Sequence, residues 1–276
     1  GLMVEIQEEG NISKNYDVLI LVHNNPCAKL FSLIFTWGNS PKKVIENNCP
    51  NLNYSNIKAT GHPSFDLLHQ DLIGYYKALF NSNYNIKPNY ILINTNFGIY
   101  NGYSNYEESQ KINNNLKELY NEDKKKEWLE IEKLQGKVLF EFLKMIKVLS
   151  KSFPQKKIII RPHPMEKMEI YKKEFKEFNN IEIIREGSAR EWIVNSEAVI
   201  HYDCSTGIEA LIARKNVISF CPFYNEKIVA KLPIEISTKF NQIEDLVNFI
   251  KNDYKNQNED SDKIIQEKLL KLECYL

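Results

Sequence analysis

The sequence predicts an α/β protein built mostly from parallel β-sheets. Short runs rich in β-branched and aromatic residues alternate with helical patterns along nearly the whole chain. This alternation is typical of parallel sheets covered by helices on both faces. The runs at residues 157–160 and 198–200 are apolar without strict alternation, as expected of strands that are buried on both faces.

The candidate elements follow one another in a regular order. Strands are predicted at residues 3–6, 18–22, 30–36, 57–59, 90–94, 157–161, 181–185, 198–202 and 217–220. Helices are predicted at residues 41–47, 63–80, 126–153, 166–178, 189–195, 206–214 and 242–254. The alternation is interrupted between residues 60 and 88, where a helix is followed by a polar connector that contains a proline.

This interruption predicts a domain boundary near residue 86. We expect a partial N-terminal α/β domain over residues 1–86, a C-terminal α/β domain over residues 87–255 and a C-terminal helix over residues 256–276. Because the first unit is short and opens directly on an apolar run, we expect it to be truncated at its N-terminus. The polar, asparagine-rich stretch 98–123 is expected to be a functional or mobile loop on the ligand side of the second domain.

The overall composition argues against several classes of protein. Basic and acidic residues number 36 each, giving a formal net charge of zero, whereas nucleic-acid binders usually carry a basic excess. The lysine-rich region 124–157 is interrupted by glutamates and is interpreted as a solvated helix face. The five cysteines form no C-x-x-C pair, which fits a reducing cytoplasm. No apolar run approaches the roughly 20 residues that span a bilayer.

The strongest functional signal is a histidine between two prolines at the end of a buried strand. Arg161, Pro162, His163 and Pro164 directly follow the apolar run 158–160. In open α/β sheets, ligands bind at the carboxyl ends of the strands. An imidazole held there can donate a hydrogen bond to a phosphate or protonate a departing phosphate oxygen. The alternative is a histidine that only caps a turn.

A second signal is a strand, a turn of small residues and a helix start in immediate succession. Ser205 and Thr206 lie at this junction, where either could cap the helix and leave backbone N–H groups for an anion. Glu209 is placed to close a capping box with Thr206 or to bind ribose hydroxyls. A capping box alone would explain these residues equally well.

Two further sets of polar residues follow predicted strands. Asn94 ends the run 90–94, and Asn96 follows it in the next turn. Both are expected at the same sheet edge, where they could contact base or phosphate or form a plain turn. Glu8 and Glu9 precede Gly10 after the first strand, where a carboxylate could act as a general base. Exposed turn glutamates are common, so this assignment depends on the other signals.

Motifs for bound cofactors and metals are missing from the sequence. The chain contains no Walker-type phosphate loop, no dinucleotide-binding glycine motif and no nucleophile elbow. It also has no acidic pair near the phosphate turns. We therefore expect no cofactor and no metal ion.

Taken together, these segments resemble bacterial surface-carbohydrate biosynthesis proteins of the GT-B type. The resemblance rests on Glu8-Glu9-Gly10, Phe35-Thr36-Trp37-Gly38, Thr60-Gly61-His62-Pro63-Ser64-Phe65-Asp66, Ile91-Leu92-Ile93-Asn94-Thr95-Asn96, Arg161-Pro162-His163-Pro164 and Ser205-Thr206-Gly207-Ile208-Glu209-Ala210. It implies two Rossmann-like domains with mostly parallel sheets. A narrower likeness is to bacterial sialyltransferases, which carry an acidic pair before glycine, a His-Pro motif and a Ser/Thr pair in this order.

The narrower resemblance implies a role for each motif. Glu9, or else Glu8, would deprotonate the acceptor; His163 would support the departing CMP phosphate, which Ser205 and Thr206 would bind. The implied activity is metal-independent, inverting transfer of sialic acid, Kdo or a related nonulosonic acid from a CMP-linked donor to a glycan or lipid-linked glycan. The implied location is the cytoplasm, and contact with the inner face of the membrane is left open.

Three alternatives remain open. Polymerases that transfer glycerol phosphate from CDP-glycerol also resemble the His-Pro region. The region around His62 would suit a hydrolase or epimerase that acts on a nucleotide sugar. A non-catalytic homologue would bind a nucleotide without transferring anything.

Overall fold

The structure contains two parallel β-sheets. It is a computed structural model that describes residues 2–6, 31–48, 52–102, 122–226, 228–252, 265–270 and 272. The smaller sheet consists of β1 (Leu2–Ile6), β2 (Phe31–Thr36) and β3 (Ile57–Ala59), hydrogen-bonded in that order. The predicted strand at 18–22 lies outside the described residues.

The larger sheet has six parallel strands in the order β6-β5-β4-β7-β8-β9. Its strands are β4 (Tyr90–Asn94), β5 (Ile158–Arg161), β6 (Ile181–Ile183), β7 (Ser196–His201), β8 (Asn216–Phe220) and β9 (Thr238–Phe240). This is the strand order 3-2-1-4-5-6 of doubly wound folds. The first three strands are added toward one edge of the sheet and the last three toward the other, so the order reverses between the first and fourth strands. The crevice for a ligand is therefore expected between the carboxyl ends of β4 and β7.

Helices connect the strands and cover the sheets. They are α1 (Asn39–Asn48), α2 (Pro63–Asp66), α3 (Gly74–Asn83), α4 (Glu122–Ser152), α5 (Glu169–Phe175), α6 (Ala189–Asn195), α7 (Thr206–Ile212), α8 (Lys231–Glu235) and α9 (Ile243–Asn252), with a 3₁₀ turn at Tyr54–Asn56. Residues 265–270 are also helical. Within the described ranges, every helix is too short or too polar to span a bilayer.

Three differences from the predicted elements have local causes. The single helix predicted at 63–80 is two helices, and Gly74, a poor helix former, begins the second. The helix predicted from Glu166 begins instead at Glu169, because Glu166 is bound into the preceding turn. Helix α8 and strand β9 were not predicted from the sequence, because runs of only five and three residues give little pattern.

The larger sheet is buried on both faces by two apolar clusters. One contains side chains of α4 and α5, and the other contains those of α3, α6 and α7. Phe80 of α3 meets Trp192 of α6 edge to face, with 5.2 Å between their ring centres. Helix α3, which precedes the predicted boundary at residue 86, thus packs on the larger sheet. The boundary itself stays a prediction.

Candidate functional site

A cavity of about 330 Å³ opens at the carboxyl edge of the larger sheet, at the ends of β4, β5 and β7. We call it the donor cavity, after the role that the sequence predicts for its residues. All seven residues that the sequence analysis assigned to this sheet edge line it, namely Asn94, Asn96, Arg161, His163, Ser205, Thr206 and Glu209. The structure therefore brings the predicted residues together at the reversal point of the sheet, where doubly wound folds bind ligands. Their roles remain predictions.

The turn after β5 fixes the position of His163 through both its backbone and its ring. The His163 N–H donates to the carboxylate of Glu166 at 3.0 Å. Its Nδ1 accepts a hydrogen bond from the Met165 N–H at 3.2 Å. Because Nδ1 is then an acceptor, the proton of the neutral imidazole sits on Nε2. His163 can therefore present an Nε2–H donor to an anion in the cavity.

Glu166 supports this turn, a role that was not predicted from the sequence. Its side chain is 0% exposed, and its carboxylate accepts hydrogen bonds from the Thr95 hydroxyl at 2.7 Å and the Tyr171 hydroxyl at 2.6 Å as well as from the His163 N–H. Burial, and then the neighbouring Glu166 carboxylate, raise the pKa of Tyr171 well above its usual value, so its hydroxyl remains a donor. These bonds satisfy a buried polar side chain and join the ends of β4 and β5.

The loops after β4 and β5 are also joined through their backbones. The Lys167 N–H donates to the Asn101 carbonyl at 2.8 Å, and the Asn101 side-chain amide donates to the Lys167 carbonyl at 2.8 Å. Gly102 pairs with Glu166 in an isolated bridge. A Cβ on Gly102 would lie 2.0 Å from the Gly98 carbonyl oxygen, so only glycine fits there. The two loops therefore form a single wall of the cavity.

The turn after β7 differs from the predicted capping arrangements. Ser205 precedes α7 but makes no side-chain cap bond. Glu209 pairs with Arg190 at 2.7 Å rather than with Thr206. Burial raises the pKa of Glu209 although Arg190 opposes the shift. The Thr206 Oγ1 is buried and, apart from a weak contact with the Cys204 thiol, has no hydrogen-bond partner. Thr206 therefore retains hydrogen-bonding capacity for a ligand.

Asn94 is the least satisfied polar side chain of the cavity. It is 3% exposed, and neither its amide nitrogen nor its amide oxygen has a hydrogen-bond partner. Leaving a buried polar group unpaired costs about 1–3 kcal/mol. Most buried polar groups in proteins are paired, so an unpaired amide facing a cavity is typical of a position that contacts a polar ligand.

Arg161 lines the cavity and also binds the loop before α6. Its guanidinium donates to the backbone carbonyls of Glu186, at 2.7 Å, and Gly187. Burial, which the nearby tyrosines and carboxylates only partly offset, lowers the pKa of Arg161. It thus fixes the loop before α6 while keeping its positive charge at the cavity. The residues that line the cavity include three arginines (161, 185 and 190) but only one carboxylate, that of Glu209. This excess of positive charge favours an anionic ligand.

Two other predictions concern the general base and a metal site. Glu9 lies outside the described residues, so the predicted base cannot be placed. In the described ranges, no group of three or more His, Cys, Asp or Glu side chains could hold a metal ion. A larger cavity of about 460 Å³ lies beside Trp37, His62 and Phe65, and none of the predicted site residues that the structure describes lines it.

Sequence comparisons assign no family to this chain, whereas solved structures share its fold. No protein-family model matches the sequence, and no curated protein matches it. The wall teichoic acid polymerase TagF matches over 89% of this chain and 53% of its own, with 13% identity and a TM-score of 0.50. A TagF variant soaked with CDPG matches over 89% and 52%, with 12% identity and a TM-score of 0.52.

A third match has a lower score. The UDP-GlcNAc 2-epimerase of Methanocaldococcus jannaschii, in complex with UDP-GlcNAc and UDP, covers 80% of this chain and 54% of its own, with 16% identity and a TM-score of 0.43. That score is too low to support an argument. This chain spans about half the length of these neighbours. The parallel α/β fold of the GT-B type, predicted from the sequence, is confirmed.

Proposed function

We propose that the donor cavity binds the phosphate and nucleoside of a cytidine-nucleotide-activated donor, and that the protein is a glycosyltransferase of surface-polymer synthesis. The observation that carries the proposal is Asn94, a buried amide without partners at the reversal point of the sheet. Asn94 lines the same cavity as Thr206 and His163, and the lining of this cavity has an excess of arginines. The volume of the donor cavity, about 330 Å³, lies at the lower end of the range of about 300–1,000 Å³ for small-ligand sites.

The proposed reaction is a displacement at the anomeric carbon of a CMP-linked sialic acid, Kdo or related nonulosonic acid. A hydroxyl oxygen of a glycan or lipid-linked glycan forms a bond to that carbon. The bond between this carbon and the phosphate oxygen breaks, and CMP leaves with the electron pair. Glu9 takes the hydroxyl proton, and the configuration inverts.

In this reaction, the residues of the cavity stabilise charge on the departing phosphate. The His163 Nε2–H and the hydroxyls of Ser205 and Thr206 would donate to its oxygens as negative charge develops there. Because these groups already lie in the cavity, little reorganisation is needed when CMP departs. We place the reaction in the cytoplasm, without a metal ion or cofactor. The membrane surface would be reached only if the acceptor is lipid-linked.

A second candidate function is transfer of a polyol phosphate from CDP-glycerol, favoured by the TagF likeness. In that reaction the acceptor oxygen would form a bond to phosphorus instead of carbon. CMP is the leaving group of both reactions, so one binding site would serve either. An epimerase-like enzyme would instead bind a uridine nucleotide.

Calorimetric titration of the chain with CMP, CDP, UMP and UDP tests the proposal. We expect CMP to bind more tightly than UMP, and His163→Asn to weaken CMP binding about tenfold because the shorter side chain withdraws the donor from the charged phosphate. The matched control is His69→Asn, at an exposed histidine outside the donor cavity, which should bind CMP as the wild type does. Absence of CMP binding, or preference for UMP or UDP, would contradict the proposal.

Transfer is tested separately with CMP-N-acetylneuraminate, CMP-Kdo and CDP-glycerol as donors. Glu9→Ala should abolish release of CMP in the presence of acceptor while leaving CMP affinity unchanged. Turnover that requires CDP-glycerol would establish the second candidate. Unchanged turnover by Glu9→Ala would remove this residue as the base.

A further inference from the structure

Besides the two cavities described above, a smaller cavity of about 290 Å³ adjoins the donor cavity at His163. The two cavities share Asn96 and His163 as lining residues. The rest of the smaller cavity is mainly apolar, with Ile99 from the loop after β4, Met165 from the loop after β5 and Trp128 from α4. We call it the Trp128 pocket. Its composition differs sharply from that of the arginine-lined donor cavity.

The loop that forms one side of the Trp128 pocket is held firmly against α4. The side-chain Oε1 of Gln135 accepts from the Ile99 N–H at 3.0 Å, and its side-chain Nε2 donates to the Asn96 backbone carbonyl at 3.2 Å. A Cβ on Gly136 would lie 2.7 Å from the Tyr100 ring, so glycine allows this ring to pack on the helix. Since Gln135 is bonded to the backbone, Asn96 and His163 are the polar groups best placed to contact a ligand there.

We propose that the Trp128 pocket binds the ring of the transferred sugar while the nucleotide occupies the donor cavity. This inference rests on the proposed function. In a sugar nucleotide the bond to be broken joins the phosphate to the sugar, so the two parts lie on opposite sides of the phosphate. With the phosphate at His163, the sugar extends into the cavity that shares this residue.

The chemistry of the lining favours a sugar ring over a smaller group. The indole of Trp128 offers a flat apolar surface for the C–H face of a pyranose, and Asn96 can bond a ring hydroxyl. A cavity near 290 Å³ is large enough for such a ring. A three-carbon glycerol would cover little of Trp128 and gain little from it. The pocket therefore separates the two candidate donors of the proposed function.

The test compares titrations of CMP and CMP-N-acetylneuraminate in matched variants. In the wild type we expect the sugar nucleotide to bind about tenfold more tightly than CMP, an increment typical of one aromatic contact with some buried area. Trp128→Ala should remove the increment and leave the affinity for CMP unchanged. Leu129→Ala is the control, because Leu129 follows Trp128 on α4, is 47% exposed and does not line the pocket.

Fluorescence gives a readout that does not depend on affinity. Of the three tryptophans, Trp37 and Trp192 are buried and Trp128 is half-buried at the pocket. CMP-N-acetylneuraminate should change the emission of the wild type, CMP should not, and Trp128→Phe should abolish the change. Ile99→Ala, which alters the pocket from the opposite side, should lose part of the binding increment.

Each outcome separates this inference from the proposed function. If CMP binds but the sugar adds nothing, or if the increment survives in both Trp128→Ala and Ile99→Ala, the Trp128 pocket is not the sugar site. An increment for CDP-glycerol that Trp128→Ala abolishes would overturn the assignment to a sugar ring. If CMP itself does not bind, the proposed function fails and this inference fails with it.

Discussion

The two sides of the donor cavity differ in how completely their polar groups are bonded. On one side, the loops 95–102 and 162–168 are joined by the buried carboxylate of Glu166, which accepts hydrogen bonds from Thr95 and His163 as well as from Tyr171 of α5. We call these loops the His163 wall. On the other side, the turn 203–209 contains Asp203, whose carboxylate accepts from the Ala230 N–H at 3.2 Å, and Thr206, whose hydroxyl is buried without a strong partner. We call this turn the Thr206 wall.

The difference suggests that the two walls have different tasks. The His163 wall has its bonds within the protein, so it can hold the imidazole in one orientation and tautomer before any ligand arrives. The Thr206 wall, with Asn94 between the two, has polar atoms that gain partners only from a ligand. Substitutions in the first wall should therefore cost stability, and substitutions at unpaired groups should cost affinity.

The largest expected effect is the loss of stability on removing the Glu166 carboxylate. Glu166→Ala removes the acceptor of the Thr95 hydroxyl and the His163 N–H, whereas the Tyr171 hydroxyl can still donate to the Thr95 hydroxyl oxygen at 3.1 Å. At about 1–3 kcal/mol for each unpaired group, partly relieved by relaxation, we expect the free energy of unfolding to fall by about 3–5 kcal/mol. Urea denaturation measures this change.

Glu177→Ala is the control for Glu166→Ala, because Glu177 is an exposed glutamate whose partner Lys176 is also exposed. It should change the free energy of unfolding by less than about 0.5 kcal/mol. If the two alanine variants were equally stable, the His163 wall would not depend on Glu166, and the contrast between the walls would be lost.

Glu166 also marks the limit of what the sequence could predict. Strands such as β3 and β4, and helix α6, have the predicted bounds because their apolar runs end at turn residues. The carboxyl ends of parallel strands meet at one edge, so the convergence of Asn94, His163 and Ser205 follows from strand order and the reversal point. These features depend on local pattern and on general rules of topology.

Contacts between distant side chains follow from neither source. Thr95 and Glu166 are 71 positions apart, and no local pattern indicates that they share a hydrogen bond. The pairing of Arg190 with Glu209 likewise replaced the capping box that the spacing of Thr206 and Glu209 allowed. The available signal for Glu166 was an acidic residue three positions after a histidine held between prolines, where a helix start was predicted instead.

A smaller effect on the free energy of unfolding is expected from pH, through the Asp203 carboxylate of the Thr206 wall. Burial outweighs the backbone donors and raises the pKa of Asp203 from 3.8 to about 6. Between pH 4 and 6 the folded protein therefore holds a proton that the unfolded chain has lost. This contribution to the free energy of unfolding is fully present below the unfolded pKa and is lost as pH rises through about 6, by about 3 kcal/mol.

Asp203→Asn tests this dependence, because an amide oxygen can still accept from the Ala230 N–H but carries no charge. Urea denaturation at pH 4.5 and 7.5 should show the variant more stable than the wild type at pH 7.5, with a smaller difference at pH 4.5. Asp71→Asn, at an exposed position, controls for the loss of one negative charge. A variant less stable than the wild type at pH 7.5 would show that the ionised carboxylate is favourable there.

The smallest expected effect, about tenfold in affinity, is also the one that most directly tests the distinction between the walls. Asn94→Leu replaces an unpaired buried amide by an apolar group of similar shape, so the free energy of unfolding should stay the same or rise. CMP should bind about tenfold more weakly, because the ligand loses its bonds to the amide. Calorimetry of CMP binding and urea denaturation measure the two quantities on the same preparation.

Asn195→Leu provides the opposite case. Asn195 is also buried, but its amide donates to the Glu191 carbonyl at 2.8 Å, away from the cavity lining. Its replacement should lower the free energy of unfolding by about 1 kcal/mol or more and leave CMP affinity unchanged. If Asn94→Leu behaved in the same way, the amide of Asn94 would be structural. The region between the walls would then have the same task as the His163 wall.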